Sequence, residues 1–106
     1  MTNIRKKDNI LAMNMNIINR KTPTEIGVLI AQRIRSVRRK RKLSQVKLSE
    51  KSGVSLGSVK RFERNGEISL ISLTKIAIAL NCEIELIKLF EDIPPESIQE
   101  IIDGQN

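Results

Sequence analysis

The sequence predicts an all-α fold of five helices, and three kinds of observation support that prediction. Apolar residues recur at three- and four-residue steps after residue 22, which is the spacing of one face of an α-helix. Ser or Thr stands before most of these apolar segments, where helix N-caps are expected. Gly or Asn follows several of them, where helices commonly end. With 106 residues, the chain can form one domain with one small core.

The first predicted helix begins at a strong local signal. Residues 1–21 mix Asn, Lys and short apolar pairs without sustained periodicity, so we expect a poorly ordered arm there. In Thr22-Pro23-Thr24-Glu25, threonine can act as N-cap, proline occupies N1, and the glutamate completes a capping box. The helix is expected to run to about Arg41. Its expected buried stripe contains Ile26, Leu29, Ile30, Ile34 and Val37.

Residues 44–66, SQVKLSEKSGVSLGSVKRFERNG, predict two short helices joined by a tight turn. Ser44 can cap the first helix, and Gly53 can end it with a positive φ. Ser55 can cap the second helix, whose inward side carries Val59 and Phe62. The remaining positions of the second helix face outward, and the core needs none of them: Leu56, Gly57, Ser58, Lys60, Arg61 and Arg64. Such a unit is suited to placing a helix in DNA.

The rest of the chain predicts two more helices and a tail. Ser69 or Ser72 can cap a fourth helix that runs through Leu80 and stops at Asn81. Its inward side would contain Leu73, Ile76, Ala77 and Leu80. A short fifth helix is expected over residues 84–90, and Pro94-Pro95 prevents its continuation. The domain is therefore expected at residues 22–91, followed at residues 92–106 by a disordered tail or, as we favour, a short amphipathic helix carrying Ile98, Ile101 and Ile102.

Residues 44–66 resemble the helix-turn-helix of the Cro/cI-like (Xre-type) family of bacterial and phage regulators. The matching positions are Ser44-Gln45, Leu48, Ser49, Gly53-Val54-Ser55, Val59, Phe62, Glu63 and Asn65-Gly66. The resemblance extends over about Thr22 to Phe90 and implies a compact five-helix bundle of the lambda-repressor-like type. It also implies a partly buried structural ion pair between Arg38 and Glu63, which would tie the first helix to the recognition helix.

The resemblance implies which residues contact DNA. The helix Ser55–Arg64 would lie in the major groove, where base edges would be read by Ser55, Leu56, Gly57 and Arg61. Arg61 can pair with guanine O6 and N7, whereas Leu56 can contact only an apolar group such as a thymine methyl. Gly57 departs from the family, in which polar side chains often fill that position. Helix N-terminal amides and cationic or polar side chains favour phosphate, and the expected contacts are Ser44, Gln45, Ser58, Lys60, Arg64 and Asn65.

The charge distribution also favours duplex DNA as the partner. Residues 1–66 hold 17 basic and 4 acidic side chains, whereas residues 67–106 hold 2 and 8. A basic front half suits a polyanion, because bound phosphates release their counterions. Two Phe, no Trp and no Tyr leave few rings for stacking unpaired bases. Within the basic run at residues 38–42, phosphate contact and simple solvation are equally consistent with the sequence.

Several other functions are not expected. The chain has no His and a single cysteine, Cys82, which excludes an intrachain disulfide and the usual metal sites. Without a Gly-rich phosphate loop or a histidine base, nothing indicates an enzyme or a cofactor. The sequence has no apolar run near the length of a membrane helix and no signal-peptide h-region of useful length, so we expect a cytoplasmic protein that does not contact a membrane.

The principal hypothesis is a sequence-specific transcriptional regulator, a repressor that binds an inverted repeat as a homodimer. Two recognition helices would read half-sites about 34 Å apart, and the apolar residues within residues 84–90 are the expected self-association surface. Two alternatives stay open. Residues 58–80 resemble antitoxins found with HipA-like kinases, which would bind and neutralise a toxin partner and autoregulate their operon. An architectural protein would instead bind any duplex with similar, salt-dependent affinity.

Overall fold

A computed structural model describes residues 20–104, and all the regular elements in this range are helices. In chain order they are α1 (Pro23–Lys40), α2 (Gln45–Ser52), α3 (Leu56–Asn65), α4 (Leu70–Ala79), α5 (Glu83–Ile87) and α6 (Ile98–Gly104). The all-α prediction is confirmed, and α6 is the short helix favoured for the tail. Residues 1–19 of the expected arm lie outside the described residues. None of the described helices is long and apolar enough to cross a membrane.

The helix starts follow the predicted capping signals. The Thr22 hydroxyl accepts a hydrogen bond from the Glu25 amide at 3.1 Å, and the Glu25 carboxylate accepts one from the Thr22 amide at 3.0 Å. Hydrogen bonding of the Glu25 carboxylate to the Thr22 backbone amide, and secondarily to the Thr22 side chain, holds the pKa of this carboxyl below its usual value. The Ser44 and Ser55 hydroxyls cap α2 and α3 by accepting hydrogen bonds from the amides of Lys47 and Ser58. Of the two candidates for α4, Ser69 is the cap.

The core lies where α1 packs on α3, where α2 packs on α3 and α4, and where α4 packs on α5. Val59 and Phe62 of α3 are fully enclosed, as are Ile76 and Leu80 of α4. Each position matches the inward side predicted from helical spacing. The buried apolar residues of the described chain are Ala31, Leu48, Val54, Val59, Phe62, Ile76, Ala77 and Leu80.

The expected buried stripe of α1 is wrong in part. Ile26 and Ile30 are 48% and 38% exposed, whereas Ala31 is almost completely buried. Ile34 and Val37 do pack against the core, as expected. The buried face of α1 is therefore rotated toward the small Ala31. The reason is that the backbone of α1 lies in direct contact with the backbone at the end of α3.

Gly27 and Gly66 permit this close approach of α1 to the end of α3. A Cβ atom added at Gly27 would lie 3.1 Å from the Gly66 carbonyl oxygen, and one added at Gly66 would lie 2.6 Å from the Val28 amide nitrogen. Gly66 also has a φ of +79°, which favours glycine. The contact therefore sets the rotation of α1 about its axis, which apolar spacing alone did not predict.

The end of α5 also differs from the prediction, since the helix stops at Ile87 rather than Phe90. The Leu89 amide bonds back to the Leu86 carbonyl, three residues earlier, and Phe90 has a φ of +60°. Both features tighten and end the helix, so the apolar residues after Ile87 lie in a turn. Cys82 packs against the core just before α5, and burial raises the pKa of its thiol against a smaller opposing effect of Arg41.

Replacing Gly66 by Ala should destabilise the domain far more than replacing Gly53 by Ala. Gly53 has a similar φ of +74°, but a Cβ there meets nothing within 4 Å. We expect a loss of about 1–2 kcal/mol at Gly53 from the left-handed backbone alone, and about 2–5 kcal/mol at Gly66, where overpacking adds to it. Urea denaturation measures both values, and equal losses would show that the α1–α3 backbone contact is not tight.

Candidate nucleic-acid interface

The turn between α2 and α3 is held by a small set of hydrogen bonds around Val54. The Ser49 hydroxyl donates to the Val54 carbonyl at 2.6 Å, and the Val54 amide donates to the Ser52 hydroxyl at 3.1 Å. Gly53 ends α2 in the left-handed region, and its amide bonds to the Ser49 carbonyl. The Val54 side chain is buried beneath the turn. The angle between the two helices is therefore fixed by two serine hydroxyls bonded to the backbone, one backbone bond and the buried Val54 side chain.

The ion pair expected between Arg38 and Glu63 is present and almost completely enclosed. Arg38 Nε donates a hydrogen bond to Glu63 Oε2 at 2.7 Å, and Arg38 Nη2 donates one to Glu63 Oε1 at 2.8 Å. The third guanidinium nitrogen, Nη1, donates to the Leu43 carbonyl at 2.8 Å. Only 9% of the arginine side chain and 4% of the glutamate side chain are exposed. This two-bond geometry links α1, α3 and the loop before α2.

Two more side chains approach Glu63, and the sequence predicted neither contact. Gln45, expected to contact phosphate, donates its side-chain amide to Glu63 Oε1 at 3.2 Å. Its side chain therefore has a structural partner, while its backbone amide keeps the predicted position at the start of α2. Arg35 lies 4.0 Å from the same oxygen but remains half exposed. Its position three residues before Arg38, on the same face of α1, was the available signal.

An open cleft runs between the start of α2 and the basic side of α3. Its lining residues are Arg35, Arg38, Ser44, Gln45, Lys60, Glu63 and Arg64. At its α2 end, the Ser44 hydroxyl accepts from the Lys47 amide, and the first intrahelical bond runs from the Leu48 amide to the Ser44 carbonyl. The amides of Gln45 and Val46 precede both bonds. These amides and the exposed Lys60 and Arg64 form a site suited to a phosphate group.

The outward side of α3 presents the predicted base-reading positions with different degrees of exposure. Arg61, Gly57 and Ser55 are exposed, and Leu56 is partly buried. The Ser55 hydroxyl accepts from the Ser58 amide at 3.2 Å and donates to the Ser58 hydroxyl at 2.8 Å. A Cβ at Gly57 would meet nothing within 4 Å. The fold itself therefore does not require glycine at this position.

Two polar residues near the helix ends have structural partners instead of free side chains. The side-chain oxygen Oδ1 of Asn65 accepts from the Glu67 amide at 3.1 Å, in the loop after α3. In the basic run, Arg41 donates its Nε to the Leu80 carbonyl at the end of α4. The sequence suggested phosphate contact or solvation for this run, and a bond to the backbone at the end of α4 is neither. Arg38 and Arg41 both bond to other parts of the fold, although Arg41 stays exposed, as do Arg39, Lys40 and Lys42.

Two helices joined by a tight turn, the second of which exposes a basic face beside an open cleft, are the arrangement of a helix-turn-helix DNA-binding domain. The helix-turn-helix family model HTH_3 matches residues 34–87, about half of the chain. The chain therefore belongs to this Cro/cI-like (Xre-type) family, whose members are DNA-binding transcription regulators and typically not enzymes. The comparisons with curated proteins and with solved structures give no match. Residues 20–104 contain no cluster of three or more candidate metal ligands.

Replacing Glu63 by Ala should be strongly destabilising, because it leaves the Arg38 guanidinium buried without its carboxylate. We expect a loss of about 3–5 kcal/mol in the free energy of unfolding. Glu50 provides a matched control, since its 3.2 Å ion pair with Lys47 lies on the surface. Glu50→Ala should cost less than about 1 kcal/mol. Urea titrations at neutral pH compare the two variants, and a small loss at Glu63 would contradict the bracing role of the pair.

Proposed function

We propose that this regulator is a repressor that binds an inverted-repeat operator as a homodimer, with α3 in the major groove. The observation that supports it most is that α3 exposes Arg61 and Gly57, while its Lys60 and Arg64 line the cleft at the start of α2. A phosphate held in that cleft would fix the register of α3 on the duplex. Base contacts from α3 would then supply the sequence preference.

Within this proposal the residues divide into two roles. Arg61, with Ser55, Leu56 and Gly57, faces the base edges, and its guanidinium can donate two bonds to one guanine. The phosphates are contacted by Ser44, Lys60, Arg64 and the backbone amides of Gln45 and Val46. Ser58 and Asn65 are the other expected phosphate contacts. Because Gly57 is not required by packing, its value would lie in letting the α3 backbone approach the groove closely.

The homodimer is supported by the exposed apolar residues that follow the DNA-binding unit. Ile84, Ile87, Leu89 and Phe90 are each at least half exposed, although the helix that carries the first two ends early. A contiguous apolar surface of this kind is typical of a protein interface. One recognition helix reads few base pairs, so a twofold dimer would double the contacts and read two half-sites about one helical turn apart.

Replacing Arg61 by Ala should weaken binding to a selected operator more than binding to random duplex DNA. The expected loss on the operator is roughly 1–3 kcal/mol, the value of one bidentate base contact. Arg64→Ala is the matched control on the same helix, and it should weaken both duplexes alike and lower the salt slope by about one ion. Competition binding at several salt concentrations measures both effects.

Three results of that competition would contradict the proposal. Equal losses from Arg61→Ala on both duplexes would remove the assigned base-reading role. A wild-type preference for the operator far below roughly a thousandfold would favour the architectural alternative. A loss of operator specificity from Arg64→Ala would show that Arg64, and not Arg61 alone, contacts the bases.

A second candidate function is the antitoxin, which would repress its own operon and also neutralise a toxin such as a HipA-like kinase. The exposed apolar residues and the excess of acidic side chains in residues 67–106 favour a protein partner for this half. The two functions are compatible, since both use the same helix-turn-helix. A kinase-like reading frame beside the gene, whose product forms a complex with this protein, would distinguish the antitoxin from a simple repressor.

A further inference from the structure

Most of the exposed apolar surface of the described residues lies after α3. Eleven of the fourteen large apolar side chains that are exposed in residues 20–104 follow Gly66. Many of them border a groove between α4 and α5, in which Phe90 is 80% exposed. The groove is lined by Leu70, Thr74, Ile78, Glu83, Leu86, Ile87, Leu89 and Phe90. An exposed apolar groove is typical of a site that binds another apolar surface.

The same chain carries a helix that matches the groove. All residues of α6 are exposed, and Ile98, Ile101 and Ile102 are spaced to share one face. The Ser97 hydroxyl caps the helix by accepting from the Glu100 amide at 3.1 Å. Isolated helices shorter than about 12–15 residues are marginal in water, so this seven-residue helix requires a surface to stabilise it.

We propose that α6 of each protomer docks in the α4–α5 groove of its partner, an inference that rests on the homodimer proposed above. Pro94-Pro95 separates α6 from α5 and favours an extended spacer of about 3 Å per residue. In the monomer, α6 leaves its own groove open, as the exposure of Leu70 and Phe90 shows. The described residues of each chain provide one α6 and one α4–α5 groove, so reciprocal exchange fills both grooves and closes the dimer.

Polar groups around the groove also suit this occupant. Glu83 Oε2 is buried within the described part of the chain and has no hydrogen-bond donor there. A buried carboxylate oxygen normally has a donor, and the Ser97 hydroxyl, just before α6, can supply one. The two basic side chains of residues 67–106, Lys75 and Lys88, are exposed beside groove-lining positions. They can face the acidic Glu100 and Asp103 of the docked helix.

The first test places a charge on the apolar face of α6. Ile101→Lys should raise the dimer dissociation constant roughly tenfold or more, because the ammonium would enter an apolar groove. Gln99→Lys adds the same charge on the polar side of the same helix and should change the constant by less than roughly threefold. Sedimentation equilibrium of the full chain measures both. Neither change touches the core, so circular dichroism should show a folded domain in each case.

The second test detects the exchange directly by disulfide cross-linking, in a Cys82→Ser background. One protein carries Ile78→Cys in the groove, and a second protein of different mass carries Ile101→Cys on α6. A disulfide between the two different chains is the expected product. If a chain carrying both cysteines forms only the internal disulfide, or if no cross-link forms, the exchange is wrong.

The failures of the exchange and of the proposed function can be told apart. If Ile101→Lys remains as dimeric as the wild type, the exchange is overturned while the dimeric regulator stands. If the wild type is a monomer at all concentrations and on operator DNA, the homodimer is overturned together with the exchange. Sequence-specific DNA binding is measured separately in the competition experiment, and its loss would overturn the regulator itself.

Discussion

The buried ion pair between Arg38 and Glu63 is the interaction on which the rest of the domain depends. Its two hydrogen bonds join α1 to α3, its third guanidinium nitrogen holds the Leu43 carbonyl before α2, and Gln45 of α2 bonds to the same carboxylate. A buried charge is stable only when it is paired and hydrogen-bonded, so these elements cannot move independently. The phosphate cleft and the base-reading face of α3 are consequently held in one fixed relation.

The two halves of the chain have different chemistry and, in our proposal, different partners. Basic side chains of the first half, among them Arg35, Lys60 and Arg64, line the cleft between α3 and the start of α2, where phosphates would bind. The acidic and apolar residues of the second half lie on α4, α5, α6 and the segments beside them, which would meet another copy of the chain. Separating the charges in this way keeps the acidic side chains from weakening the attraction of the basic surface for DNA. Assembly and DNA recognition can therefore be altered by separate substitutions.

Local features of the sequence predicted the helices well, whereas contacts between distant residues were predicted less well. The caps at Thr22, Ser44 and Ser55 depend on bonds spanning three residues, so the sequence contains all the necessary information. The rotation of α1 depends instead on Gly27 meeting Gly66, which no periodic pattern reveals. The side-chain partner of Gln45 and the position of Arg35 likewise depend on α1 and α3 already being packed. The base and phosphate roles on α3 stay predictions, because they concern a partner outside the protein.

Selection of bound sequences from a random duplex pool tests the central claim most directly. The full chain would be incubated with the pool near physiological salt, and the retained duplexes would be sequenced. We expect an inverted repeat whose half-site centres are about 10–10.5 base pairs apart, with a guanine at the position that Arg61 reaches. A retained pool without any enriched motif would contradict sequence-specific recognition, and an enriched motif without twofold symmetry would contradict the dimer.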